Sequence, residues 1–550
     1  MTREKTPLDA VADGYVAKLA DLDPIAATSI GLPGHDHLLT DYSPDGHAAR
    51  AELDRATLAA VDATADVDDV DRVTRAAMRE RLGLQLELHE AGETLAALNN
   101  ISSPLQALRD VFDLMPTATV EQWEVIAERM RRVPEAADGY LASLRAATVR
   151  PAKRQFDICA EQTDNYARPD GFWASFAAGA RPEEGELPGG LRDELAAAAE
   201  SARAAFGLLA EGLRELRPSG ADADAVGRER YARFSRLFLG AGVDFDETYR
   251  WGQEELARIV AEQGQVAERI GGPGTTVEAA IELLNNDPAR KLVGVDALQH
   301  WMQATSDAAI EELGREHFDI PEPVRRLECC IAPTATGGIY YTGPSDDFSR
   351  PGRMWWSVPE GVSEFTTWLE KTTVYHEGVP GHHLQLAQAV YRSDLLNSWR
   401  RNVCWVSGHG EGWALYAERL MHSLGYLDEP GDYLGMLDGQ RMRAARVVLD
   451  IGFHLGLPHP DGGEWSYERA WDFLKANAGA GDDFLRFELH RYLGWPGQAP
   501  SYKIGQRLWE QIRDELSARE GAAFDLKAFH RRALDVGSVG LDVLRSALLG

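Results

Sequence analysis

Apolar residues recur every three or four positions through most of the first 330 residues, the period of an α-helix with one buried face. Asp69 to Glu93 and Leu191 to Leu216 carry the pattern without interruption. Both are rich in Ala, Leu, Glu and Arg, residues that lose little freedom in a helix. Pro and Gly break the pattern at Ser103-Pro104 and within 181–190, 217–220 and 271–274, so these read as turns between helices. The stretch GGPGTT at 271–276 is glycine-rich, but no Lys-Ser/Thr pair follows it. It reads as a helix-to-helix turn rather than a phosphate loop. Near residue 325 the helical period stops, and Leu327 to Tyr341 is predicted as one or two strands of a small sheet. Helices resume near Glu364 and continue to the C-terminus. The predicted fold is mainly α, a large multi-helix architecture with a small β element at 327–341. No repeat or low-complexity linker marks a boundary, leaving one large domain or two lobes, 1–325 and 326–550.

Charge narrows the partners. The 550 residues carry 57 basic and 87 acidic side chains, a formal net charge of −30. Such a field repels nucleic acid and anionic lipid, so neither is expected as a partner. Cys159, Cys329, Cys330 and Cys404 form no CxxC pair and are too sparse for a disulfide scaffold. The first residues lack the apolar core of a secretory signal, and no apolar run approaches the ~18 residues that span a bilayer. These features predict a cytoplasmic protein with reduced thiols. Oligomeric state is not legible.

Candidate chemistry gathers in TTVYHEGVPGHHLQLAQAV, residues 372–390. In an HExxH helix, two His one turn apart bind zinc and the Glu serves as general base. Here His376 and His382 are six apart, which on a straight helix separates them by ~120° and ~9 Å. Pro380 cannot donate to the His376 carbonyl and clashes with it, and Gly381 can follow any detour, so a bulged helix is expected to bring His382 back beside His376. His383 is either a neighbour facing the ligands or substrate, or the ligand in place of His382. A catalytic zinc needs a third protein ligand, and Glu411 in GHGEGWALYAERL (408–420) is the next acidic candidate, flanked by glycines that permit close helix approach. Glu418, seven residues on, either steadies a ligand from behind or lies on a solvated face.

HEGVPGHHLQ (376–385), EGWALYAE (411–418) and PGQAPSYKIG (496–505) together resemble the bacterial family called domain of unknown function 885. The resemblance runs from GRERYARFSRLFL (227–239) to the C-terminus. Members of that family look like distant relatives of the gluzincin peptidases. The resemblance implies an α-helical fold with a deep channel, one Zn2+ held by His376, His382 and Glu411, and Glu377 as general base. It also implies short peptides as substrates rather than folded proteins.

Several other residues are candidates around that centre. Tyr502 is the first choice to stabilise an oxyanion, with Lys503 and His454 after it; the alternative is that Tyr502 packs under a turn. Arg446, Asp450 and His454 stand at i, i+4 and i+8. They either bind a peptide carboxylate through Arg446 and orient His454 through Asp450, or form a buried ion ladder between helices. The segment Gly337 to Tyr341, with Tyr340 and Tyr341, is either a strand edge for an extended substrate or an internal strand. Of Trp355, Trp356, Trp405 and Trp413, most are expected in the core. The expected activity is metal-dependent amide hydrolysis. The competing readings are a hydrolase of a non-peptide amide or ester, and a catalytically inactive helical binding protein. No GxSxG elbow supports a serine hydrolase.

Overall fold

The computed structural model describes residues 3–332 and 338–550. Helices dominate it and follow the apolar period. Asp69–Glu90 starts at Asp68, whose carboxylate accepts from the Asp71 N–H. Gly189–Leu216 buries Leu195, Ala202, Phe206, Leu209 and Leu213 along one stripe. The glycine-rich stretch at 271–276 joins Phe245–Gly271 to Val277–Asn286, with the Thr276 side chain capping the second helix.

The β structure is small. Strands β1 (Lys291–Val293), β2 (Leu327–Ile331), β3 (Ile339–Thr342), β4 (Gly352–Trp356) and β5 (Glu364–Thr366) form two sheets. β1 pairs antiparallel with β5, and the second sheet has the order β2-β4-β3, β2 parallel and β3 antiparallel to β4. Of the one or two strands expected at 327–341, two form, β2 and β3, and Gly337 lies outside the described residues. β4, the central strand, escaped the sequence reading because GRMWW shows no alternation of polar and apolar positions.

One apolar core spans most of the chain, running from Leu8 and Met78 through Phe318, Val324 and Leu327 to Leu544. A second core is confined to Ile25 and residues 98–213, built on Trp123, Trp173, Phe206 and Leu209. Five helices of the larger core position the candidate site: Thr367–Glu377, His382–Tyr391, Ser407–Ser423, Pro430–Leu455 and Ser501–Glu520. The third and fifth touch backbone to backbone, since a Cβ on Gly412 would lie within 2.6 Å of Gly505 Cα. That contact brings Glu411 and Tyr502 to one wall, as the glycines beside Glu411 predicted.

Candidate metal centre

The helix carrying His376 does not bulge; it ends. Thr367–Glu377 stops at the residue after His376, and a new helix, His382–Tyr391, begins at His382 itself. Pro380 and Gly381 sit in the break. A side chain on Gly381 would meet the His376 carbonyl carbon at 2.5 Å, so only glycine lets the chain double back there. Trp413, buried in the helix of Glu411, donates its indole N–H to the carbonyls of Pro380 (2.8 Å) and Gly381 (3.2 Å). The expected return of His382 to His376 is therefore achieved by two helices and a pinned connection rather than by one distorted helix.

The two imidazoles meet at right angles, ring centroids 4.9 Å apart. His376 Nε2 lies 3.3 Å and His382 Nε2 3.4 Å from the same oxygen, Glu411 Oε2. Donors about 2.1 Å from a shared tetrahedral centre stand about 3.4 Å apart, so this spacing fits a zinc-sized ion. Ligand atoms of His376, Glu377 and His382 also fall within 4.8 Å of one another. Burial lowers the His376 imidazole, but hydrogen bonds to Glu411 and Glu418 outweigh it and lift it to about 9. Burial raises Glu411, yet His382 and His376 hold its carboxyl well below the usual range. The centre thus draws positive charge, as a proton on His376 or as a metal cation. Glu377 differs: burial pushes its carboxyl up, against the pull of His382 and His376, which suits a group that must accept a proton.

Behind the centre runs a buried polar chain. His376 Nδ1–H donates to Glu418 (2.7 Å), leaving the Nε2 lone pair for the ion side. Gln440 donates to the other Glu418 oxygen (3.1 Å), and Lys503 Nζ donates to Gln440 (2.6 Å). Lys503 also pairs with Glu255 at 2.8 Å. Glu418 is therefore a buried partner of His376, not a solvated carboxylate. Lys503 is corrected from oxyanion candidate to the far end of this chain. Its helix turns it toward Gln440 while the adjacent Tyr502 faces the cavity.

A cavity of about 300 Å³ opens in front of His376, His382 and Glu411, walled by Tyr340, Trp405, Arg443, Arg446 and Tyr502 among others. Burial and the Glu411 charge push the Tyr502 phenol up to about 12, so it stays a donor. Arg446 lies 5.1 Å over its ring and is tied to Glu488 (2.7 Å) and the Tyr492 hydroxyl (2.7 Å). β3 is an edge strand, and Ile339, Tyr340 and Tyr341 all line the cavity.

Three candidates lie elsewhere. His383 is no ligand, because its Nε2–H donates to the Val324 carbonyl (2.7 Å) and its Nδ1 faces the Tyr341 hydroxyl (2.9 Å). Asp450 accepts from the Tyr231 hydroxyl (2.7 Å) and the Gly497 N–H (2.9 Å), and does not orient His454. His454 bonds the Tyr492 carbonyl at 3.0 Å, away from the cavity, and burial lowers it to about 4. The i, i+4, i+8 series drifts by ~80° and ~12 Å between Arg446 and His454, enough to leave the site. Arg443 and Gln440 were not anticipated. Arg443 was findable as the position one turn before Arg446; the role of Gln440 depends on a partner 63 residues away. Trp413 and Trp356 are buried as expected, whereas Trp405 is 46% exposed with its ring 6.2 Å from His382.

Two solved structures share the fold. One, described as "the putative lipoprotein from Colwellia psychrerythraea", superposes with a TM-score of 0.83 at 21% identity, covering 98% of each chain. The other, described as "a putative lipoprotein of unknown function from Shewanella oneidensis", gives 0.76 at 17% identity over 99% of this chain and 100% of that one. These descriptions overturn the expected cytoplasmic location, since lipoproteins are membrane-anchored or extracytoplasmic. Among the described residues, no helix is long and apolar enough to cross a membrane. No curated protein matches the sequence. The family model for "Bacterial protein of unknown function (DUF885)" matches residues 24–548, and the chain belongs to that family.

Proposed function

We propose that this protein is a zinc-dependent peptidase that hydrolyses amide bonds in short peptides. The observation that carries the reading is the convergence of His376 Nε2 and His382 Nε2 on Glu411 Oε2 at 3.3 and 3.4 Å. Two imidazoles and a carboxylate favour zinc over manganese or cobalt. His376, His382 and Glu411 would hold a divalent ion, which when bound would supply a water of lowered pKa and polarisation of a carbonyl oxygen. Glu377 takes the proton of the attacking water and passes it to the leaving amine as the C–N bond breaks. Tyr502 donates its hydroxyl hydrogen bond to the oxygen that gains charge. The exposed edge of β3 pairs with an extended substrate backbone, which favours a peptide over a non-peptide amide or ester. A retained base beside the ligand set argues against an inactive binding scaffold.

The test is metal content by mass spectrometry on protein purified without chelator, beside His382→Ala. About one zinc per wild-type chain, lost in the variant, is expected. A wild type that stays metal-free after zinc addition and dialysis overturns the reading.

A further inference from the structure

Arg443 stands out among the charged groups of the cavity. Arg446, one turn later on the same helix, is held by Glu488, which also holds Arg491 at 2.7 Å. Arg443 has no such partner. Among the described residues no carboxylate oxygen lies within 4.0 Å of its guanidinium, and its Nε is buried without a hydrogen-bond acceptor. Its charge reaches Glu377, Glu418 and Tyr502, but Glu418 is already bound by His376 and Gln440. A half-buried guanidinium with an unfilled donor costs stability unless an anion completes it. In a chain with 87 acidic side chains to 57 basic ones, a carboxylate could readily have been supplied from within. The Arg443 side chain instead lines the cavity that holds His376, Glu377, His382 and Glu411.

We infer that Arg443 binds the free C-terminal carboxylate of the substrate, so that the enzyme acts on short peptides with an unblocked C-terminus. The inference rests on the peptidase reading and deepens it. Guanidinium and carboxylate match as a bidentate pair, and such a pair discriminates strongly against a neutral amide that leaves the charge uncompensated. Arg446, stacked on Tyr502, stiffens the adjoining wall. The edge of β3 receives the backbone that precedes the carboxylate.

The experiment compares one short peptide as its free acid, its C-terminal amide and its N-acetylated acid, with the zinc-loaded enzyme and with Arg443→Met and Arg443→Lys. The wild type is expected to cleave both acids at least about tenfold better, in kcat/KM, than the amide. Arg443→Met is expected to bring the acid-to-amide ratio close to one, and Arg443→Lys to restore part of it. Equal cleavage of acid and amide by the wild type, or an unchanged ratio in Arg443→Met, overturns the inference while leaving the peptidase reading intact. If no peptide is cleaved, calorimetric titration of the acid and the amide into Glu377→Gln still decides it. Tighter binding of the acid that disappears in the Arg443→Met, Glu377→Gln double variant supports the inference, and equal or no binding of the two overturns it.

Discussion

Two regions of this molecule differ in what they bury. The core confined to Ile25 and residues 98–213 is a packed apolar interior, with Trp173 edge-on to Phe112 (5.4 Å) and Phe206 (5.0 Å). The region from Thr372 to His454 packs His376, Glu377, His382, Glu418, Gln440, Arg446 and Asp450 among buried apolar residues such as Trp413, Leu437 and Val447. Buried charges cost stability unless each is paired, so this second region adds a network of hydrogen bonds to its apolar packing. The difference teaches where function lies: one region stabilises the chain, and the other spends stability to hold a site.

Substitutions in the two regions should separate along that line. Glu377→Gln is expected to lower turnover by about 10²–10⁴-fold while zinc content by mass spectrometry stays at the wild-type level. Wild-type turnover in that variant would remove Glu377 as the base. Trp173→Ala is expected to cost about 3–5 kcal/mol in denaturant unfolding, again with metal content unchanged. If it instead releases metal, the two regions are coupled and the comparison fails.

Smaller effects sharpen it. Glu418→Gln weakens the support of His376 and is expected to lower zinc affinity by about 10–100-fold in competition with a chelator. Unchanged affinity would make the Glu418–Gln440–Lys503 chain a purely structural element. The smallest effect is one of pH. Burial raises Asp450 to about 7, despite the Tyr231 and Gly497 hydrogen bonds that pull it down. Its unfolded value is about 3.9, so the folded state favours the protonated form, and the wild type loses stability as pH rises from about 4 to 7. Asp450→Asn cannot ionise, and its melting temperature relative to the wild type should climb across that window. A constant difference would show that Asp450 is ionised in the fold.

Much of the site was legible because the signals are local. The spacing of His376 and His382 is incompatible with a straight helix, and Pro380-Gly381 announces where the chain must depart from one. The glycine beside Glu411 forecast the backbone contact with the helix of Tyr502. What could not be read is what faces what across the molecule. His383 stays open as an alternative ligand to His382 until Val324 and Tyr341, 59 and 42 residues away, claim its nitrogens. Lys503 and Tyr502 are adjacent in the chain, yet one faces Glu255 and Gln440 and the other the cavity.

The sequence by itself determined the helices, the break in the motif and the kinds of donor available, because these follow from period, proline chemistry and glycine space within a few residues. Only the tertiary structure decided which donors converge, which Arg is left without a partner, and that His454 and Asp450 stand apart from the site. Those outcomes depend on how helices far apart in the chain rotate against one another. A rotation of one residue position, ~100° about the axis, turns a ligand into a packing group.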